Sequence, residues 1–177
     1  MDIVRLFLSI AIAALAASAQ PREIPNPALP GSGQSYLALS PEGRAYLSWT
    51  EPSGGGHRLQ FAVWENQAWR PAGRVAEGAS WFVNWADYRT FLPLAGGAFA
   101  AHWLEKSGSY SYGIKLAQLP TASASWKIVF APKVQKEGQY TGFASLVPLA
   151  QGMGAAYLAP GAGGGEEDKS LRFVDRR

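Results

Sequence analysis

Tyr36-Leu37-Ala38-Leu39-Ser40-Pro41-Glu42-Gly43-Arg44-Ala45-Tyr46-Leu47-Ser48-Trp49-Thr50 is the stretch that sets the fold class. Tyr36 to Leu39 meets Ser40-Pro41-Glu42-Gly43, where proline presets φ and glycine accepts a positive one, so the chain turns. Ala45 to Thr50 then places Ala, Leu and Trp on one face and Tyr, Ser and Thr on the other. That period of two is the signature of a strand. Gly54-Gly55-Gly56 breaks it. Arg58 to Trp64 reads as a third strand, Glu65-Asn66-Gln67 as a turn, and Trp69 sits in a short fourth strand.

Working outward, the same grammar returns. Thr90 to Leu94 is an inner strand, Gly96-Gly97 a turn, and Ala98 to Leu104 a second strand. Ser107-Gly108-Ser109 is the next loop, Tyr110 to Ala117 a third strand, and Trp126 to Phe130 a fourth. A third unit gives Phe143 to Leu149, Gly154 to Leu158 and Leu171 to Val174, with no clear fourth strand. Landmarks recur at nearly constant spacing. Leu39, Leu94 and Leu149 are 55 residues apart, as are Phe61, Leu116 and Leu171. Trp49, Trp103 and Leu158 follow at 54 and 55, and Trp69 and Trp126 at 57. A period near 50 marks stacked or radially arranged units. Four short antiparallel strands per unit describe a β-propeller blade. The expectation is an all-β fold, a partial β-propeller of about three four-stranded blades, without long helices. A β-sandwich with accidental periodicity is the alternative.

Composition agrees. Of 177 residues, 47% are apolar and 16% charged, enough to build a core and too little charge for a disordered chain. Twenty Gly and twelve Pro, with seven Trp, seven Tyr and eight Phe, favour strands and tight turns over helices. There is no cysteine, which excludes a disulfide scaffold, a thiolate metal site and a Cys nucleophile. With only His57 and His102, a His-rich zinc site is not expected, and no cofactor is implied. The net charge of +3 is spread without a basic run, so the sequence carries no nucleic-acid footprint.

Arg5 is followed by the apolar run Leu6 to Ala16 and then by Ala17-Ser18-Ala19. A run too short to span a bilayer, ending in a small-x-small motif, reads as a signal peptide over residues 1–19. An N-terminal membrane anchor is the alternative. Export to the periplasm or the exterior is expected, with no stable membrane span after cleavage. Residues 20–34, with Pro21, Pro25, Pro27, Pro30 and Gly31-Ser32-Gly33, read as an extended linker. The blades are expected over about 35–80, 81–135 and 136–177. An open arc leaves apolar faces at its ends, so self-association is a further expectation.

The stretch Phe82-Val83-Asn84-Trp85-Ala86-Asp87, then Leu94-Ala95-Gly96-Gly97, Ala100-Ala101-His102-Trp103-Leu104, Lys106-Ser107-Gly108 and Tyr110 through Ala117 resembles bacterial sialidase-like (BNR-repeat, exo-alpha-sialidase-type) β-propeller proteins. Gly142-Phe143-Ala144-Ser145-Leu146-Val147-Pro148-Leu149 continues the likeness, which covers most of residues 35–160. It implies a six-bladed propeller of which this chain holds the N-terminal part, export, and glycoside hydrolase chemistry on a glycan or sialoglycoconjugate. The sequence also departs from the family. Where an Asp-box of the form Ser-x-Asp-x-Gly-x-x-Trp belongs, it reads Thr121-Ala122-Ser123-Ala124-Ser125-Trp126, without the Asp and Gly. Neither an arginine triad nor a Tyr–Glu nucleophile pair is recognisable. The isolated chain is therefore expected to hydrolyse weakly or not at all, and a non-catalytic fragment binding glycan or protein is the alternative.

In a propeller, the loops before each inner strand and those joining strands two and three share one face. Here these loops hold Asn84, Trp85, Asp87 and Arg89, Glu51 and Glu105, and Gln139, Tyr140 and Thr141. Asp87 is the candidate catalytic acid, since a carboxyl beside Trp85 is open to desolvation and a raised pKa. A turn-capping role is its alternative. Arg89 is a candidate for a carboxylate-bearing ligand. Trp85 is a candidate to stack on a sugar ring. Asn84, Glu105 and Tyr140 complete the substrate-binding candidates. His102 reads as a strand residue rather than a base.

Overall fold

The computed structural model describes residues 21–134, 136–163 and 168–176. The signal-peptide reading therefore lies outside the described residues. Eleven strands follow in order: β1 (Gly33–Leu39), β2 (Ala45–Ser53), β3 (Gly56–Glu65), β4 (Ala68–Gly78), β5 (Phe91–Pro93), β6 (Phe99–Lys106), β7 (Tyr112–Leu119), β8 (Lys127–Phe130), β9 (Gly142–Pro148), β10 (Met153–Pro160) and β11 (Lys169–Arg176). The sole helical element among the described residues is a 3₁₀ turn at Ala95–Gly97, where Gly96 and Gly97 both take positive φ. None of these residues forms a helix long and apolar enough to cross a membrane.

The strands form three antiparallel sheets in simple up-and-down order: β1-β2-β3-β4, β5-β6-β7-β8 and β9-β10-β11. The fourth strand of the first sheet is not short; β4 runs for 11 residues. Its length absorbs two register shifts against β3, at Leu59/Gln60 and Phe61/Ala62. Strands β1, β5 and β9 are neighbours across the sheets, so the first strand of each sheet lies along a common inner line.

Alternation along each strand builds two interfaces. Tyr46, Leu59, Phe61 and Val63 of the first sheet meet Phe91, Phe99, Trp103 and Leu119 of the second. The opposite face of the second sheet, with Leu92, Leu104, Ile114 and Leu116, meets Leu146, Met153, Ala155 and Tyr157 of the third. The middle sheet is thus apolar on both faces, which explains why Phe99 to Leu104 is a continuous buried run rather than an alternating one.

The repeat maps onto equivalent strands, with two landmarks corrected. The second strands begin at Ala45, Phe99 and Met153, a constant 54 residues apart. Trp49, Trp103 and Tyr157 are each the fifth residue of their strand, and all three are buried. Tyr157, not Leu158, is therefore the third member, because a shift of one residue moves a side chain to the other face. Pairing of Ser48 with Phe61, His102 with Leu116 and Ala156 with Phe173 likewise makes Phe173, not Leu171, the counterpart of Phe61. The longer connection between β10 and β11 displaces that strand in sequence without displacing it in the sheet.

Residues 21–32 form no strand, yet they lie against the first sheet. Arg22 Nη2 donates to Gln67 Oε1 at 3.2 Å. Pro27 and Leu29 line a groove with Trp49, Glu51 and Arg58, and Gly31 abuts Pro52. The segment runs along part of the outer face of this sheet, and Leu37 and Leu39 on the same face stay exposed.

Candidate cleft at one end of the inner strands

Three loops converge at the end of the molecule where β5 and β9 begin: 79–90, the β6–β7 connection and 131–141. Among the described residues they enclose an open cleft of about 970 Å³. Asn84, Trp85, Asp87 and Tyr140 line it; Glu105 and Arg89 do not.

Asn84 shapes the first loop. Its Oδ1 accepts the N–H of Ala86 and of Asp87, both at 2.7 Å, an Asx turn. Its Nδ2 donates to Asp87 Oδ2 at 2.9 Å. The other carboxylate oxygen of Asp87 accepts the N–H of Phe143 at 2.7 Å. Asp87 thus ties the entrance of the second sheet to the first residues of β9, and it is only 4% exposed. Phe143 takes φ of +48°, a left-handed conformation that bulky residues rarely adopt. Next to it, a Cβ on Gly142 would stand 3.2 Å from Asp87 Oδ1 and 3.4 Å from the Tyr112 ring. The carboxylate therefore holds an unfavourable backbone turn 56 residues away, whereas the turn of its own loop is capped by Asn84 and not by Asp87.

Replacing Asp87 with Ala leaves the Phe143 N–H and the Asn84 amide without their acceptor. A cost of about 1–3 kcal/mol is expected, as for a buried donor left unpaired. Urea unfolding of Asp87→Ala beside the parent checks this, and an unchanged midpoint would contradict the tie between loop and strand.

Arg89 is buried rather than presented to a ligand. Its Nη1 donates to Gln34 Oε1 and its Nη2 to the Phe82 carbonyl at 3.0 Å. The guanidinium carbon lies 5.2 Å from the Trp81 ring centre. Burial lowers its pKa to about 10, with the Asp87 charge opposing, so it stays protonated at neutral pH. Gln34 Nε2 also donates to the Asn84 carbonyl. Arg89 therefore fastens β1 to the cleft loop from behind.

Glu105 lies on β6 opposite Gly113 and pairs with Lys115 at 3.2 Å. Its counterpart Glu51 is buried and more fully held, accepting from Trp49 Nε1 at 2.9 Å and Gln60 Nε2 at 3.1 Å, with Arg58 at 2.6 Å. Burial pushes the Glu51 pKa up, but these donors and the Arg58 charge bring it below the ordinary value. Thr141 belongs to the scaffold, its hydroxyl accepting the N–H of Ile114 at 2.9 Å.

One wall of the cleft is a column of rings. Phe82 stacks on Tyr112 at 3.9 Å and Tyr112 on Tyr140 at 5.0 Å, both nearly parallel. Lys169 Nζ caps the column 4.1 Å from the Tyr140 centre, a cation–π contact. Burial, then the nearby Asp87 and Tyr140, raise the Tyr112 pKa, so it remains a neutral phenol. The rim is different: Trp85 is 87% exposed and Tyr110 80%. Glu137 anchors the Tyr110 loop by accepting its N–H at 2.7 Å. No three His, Cys, Asp or Glu side chains among the described residues gather to hold a metal ion. Tyr110, Tyr112, Phe143 and Lys169 were not singled out from sequence. The aromatic pair in Tyr110-Ser111-Tyr112, flanking the start of a strand, was the signal available.

No family model and no curated protein matches the chain. Among solved structures, it is similar to an endo-arabinase from Bacteroides thetaiotaomicron, with 12% identity and a TM-score of 0.51 over 82% of this chain and 56% of that one. An endo-1,4-beta-xylanase from the same organism follows at 12% identity and TM-score 0.47, over 87% of this chain and 58% of that one. The chain thus spans a little over half the length of these solved chains. At such identity the likeness is one of fold: an all-β chain of antiparallel sheets, with glycoside hydrolases as its structural neighbours.

Proposed function

We propose that the chain is a glycan-binding unit built from three propeller blades, with the fold of an exported glycoside hydrolase and little or no hydrolysis of its own. One observation carries this reading: the cleft offers exposed rings on its rim, while its candidate acid is buried and engaged. Trp85 and Tyr110 give flat apolar faces of the kind that pyranose rings stack on. A glycosidase must instead present an acid free to give up a proton, opposite a carboxylate or, in sialidases, a tyrosine nucleophile. Asp87 spends both oxygens on Asn84 and Phe143. The sialidase-like reading of the sequence names sialoglycoconjugates as the first ligands to try, with the Lys106 and Lys169 ammonium groups lining the cleft as counter-charges.

The purified chain is expected to release no fluorophore from a fluorogenic sialoside above background. It is expected to bind a sialylated or neutral oligosaccharide with a change in tryptophan fluorescence. Trp85→Ala should weaken that binding at least tenfold, about 1.4 kcal/mol, without altering the fold. Turnover that vanishes in Asp87→Asn would replace this reading by the catalytic one. Binding indifferent to Trp85→Ala would move the ligand elsewhere.

A further inference from the structure

We propose that Phe143 is a ligand-binding residue of the cleft, kept in a strained turn so that its ring meets the glycan from the third sheet; this rests on the binding reading above. The first argument is its place in the repeat. Gln34 and Ser35 together oppose Trp49, because Gly33 pairs with Thr50 and Tyr36 with Ser48. Phe143 and Ala144 oppose Tyr157 in the same way, between the pairs Gly142–Leu158 and Ser145–Ala156. The first and third inner strands thus carry the same bulge, two residues against one. In the second sheet Phe82 donates its N–H to the Leu104 carbonyl and His102 donates its N–H to the Thr90 carbonyl, so residues 83–89 stand opposite Trp103. The loop that bears Trp85 and Asp87 is this bulge opened out. Phe143 and the cleft loop therefore hold equivalent places in neighbouring sheets.

The second argument is the backbone. A left-handed residue at the first place of such a bulge is ordinarily glycine, which has no Cβ to clash. Gln34 and Phe143 stand there instead, at φ of +53° and +48°. The Gln34 side chain offsets its strain within the protein. Its Oε1 accepts from Arg89 Nη1 and Thr50 Oγ1, and its Nε2 donates to the Asn84 carbonyl. The Phe143 ring is placed differently. It is 49% exposed, lines the cleft, and stands outside the stack of Phe82, Tyr112 and Tyr140. The buried Asp87 carboxylate holds the residue by its N–H.

The third argument is chemical. A glycine at this position would relieve the turn, so stability does not call for a large ring here; contact with something that enters the cleft does. A phenyl ring carries no hydrogen-bonding group, and its half-exposed face suits the C–H face of a pyranose. With Trp85 on the second sheet's loop and Phe143 on β9, both lining the cleft, one ligand touches two sheets. Asp87, which ties that loop to β9, then acts as the positioning residue for the Phe143 ring.

Titration calorimetry of the full chain with sialyllactose and with a neutral xylo-oligosaccharide, beside urea unfolding, tests this. Phe143→Ala and Phe143→Gly both remove the ring, and each should weaken binding of whichever probe the parent takes by about tenfold, the loss of one stacking face. Phe143→Tyr keeps the face and should retain the parent's affinity. In unfolding, a strained turn reverses the usual order of the small residues: Phe143→Gly should have a higher urea midpoint than Phe143→Ala. Should the Gly variant fail to fold, Phe143→Asn, which also accepts a left-handed turn, takes its place in both measurements. Binding lost in Trp85→Ala but unchanged in Phe143→Gly would overturn this proposal and leave the binding reading standing. A Phe143→Ala chain more stable than Phe143→Gly would overturn the strain on which it rests. A parent that binds neither probe would overturn both readings together.

Discussion

Phe91→Ala is expected to destabilise the chain by about 3–5 kcal/mol, the cost of emptying a large aromatic from a packed core. β5 is only three residues long, so backbone pairing contributes little to holding it. The Phe91 side chain is completely buried. Its ring stacks on Phe61 at 4.6 Å and on Phe99 at 5.3 Å, with Tyr46 at 6.0 Å and Trp126 at 6.3 Å. It is the one ring that touches residues from β2, β3, β6 and the approach to β8. Removing it opens a cavity where two sheets meet, and rings on either side cannot close the gap without moving whole strands. A domain stable by ~5–15 kcal/mol loses a large share of its margin. Urea unfolding should show a lower midpoint with an unchanged slope. A shift below about 1 kcal/mol would mean that the two sheets are not locked through Phe91.

Acid should destabilise the chain well above the pH at which carboxylates titrate. His102 lies inside β6 and is buried; its Nδ1 accepts the N–H of Thr90 at 3.1 Å. Burial first, and the positive charge of Arg89 second, lower its pKa from 6.5 to about 3. Between those values the unfolded chain takes up a proton that the folded chain refuses. Stability therefore rises with pH across this window and falls on acidification, by about 1.4 kcal/mol per pH unit once the unfolded histidine is protonated. His57 is shifted in the same direction and adds to the effect. Below pH ~4.5, Glu51 joins it: its folded pKa is depressed, so the stabilisation it gives above the unfolded value is lost as the pH falls. From pH ~6.5 to ~4.5, His102 alone should account for roughly 2–3 kcal/mol. Denaturation midpoints measured through that range check the slope. His102→Gln supplies an amide oxygen for the Thr90 N–H and should flatten it. A profile as steep in the variant as in the parent would remove His102 from the account.

The strands were legible because each unit buries its faces in a way that leaves a local trace. Ala45 to Thr50 alternates, and glycine or proline stands at every connection within a sheet except the β3–β4 turn, where Asn66 and Gln67 take the positive φ. The repeat was legible too, but counting by a fixed interval chose Leu158 and Leu171 over Tyr157 and Phe173. Register is decided by which residue pairs across the sheet, and the connection between β10 and β11 is longer than its counterparts. The position of the cleft followed from topology alone, since it lies where inner strands begin. The roles within it did not. Asp87 and the Phe143 N–H are 56 residues apart, and one partner is a backbone amide that carries no side-chain signature. Arg89 reads as a surface cation until Gln34 and the Phe82 carbonyl are seen to receive it. Nor does a Pro-rich run announce that it lies along a sheet, because its anchors are single contacts such as Arg22 to Gln67.

The constant 54-residue interval between Ala45, Phe99 and Met153 bears on how such a chain can change over generations. Unequal recombination between the coding segments of two neighbouring units, joined at equivalent codons, removes or adds 54 codons and keeps the frame. At the protein level the splice falls between equivalent residues of like strands, so inward and outward side chains keep their sides. Trp49 or Trp103 would still stand fifth in its strand. The number of sheets can therefore change in a single genetic event without passing through a misregistered intermediate. A point insertion within β2, β6 or β10 has no such route, since one added residue turns every following side chain to the wrong face.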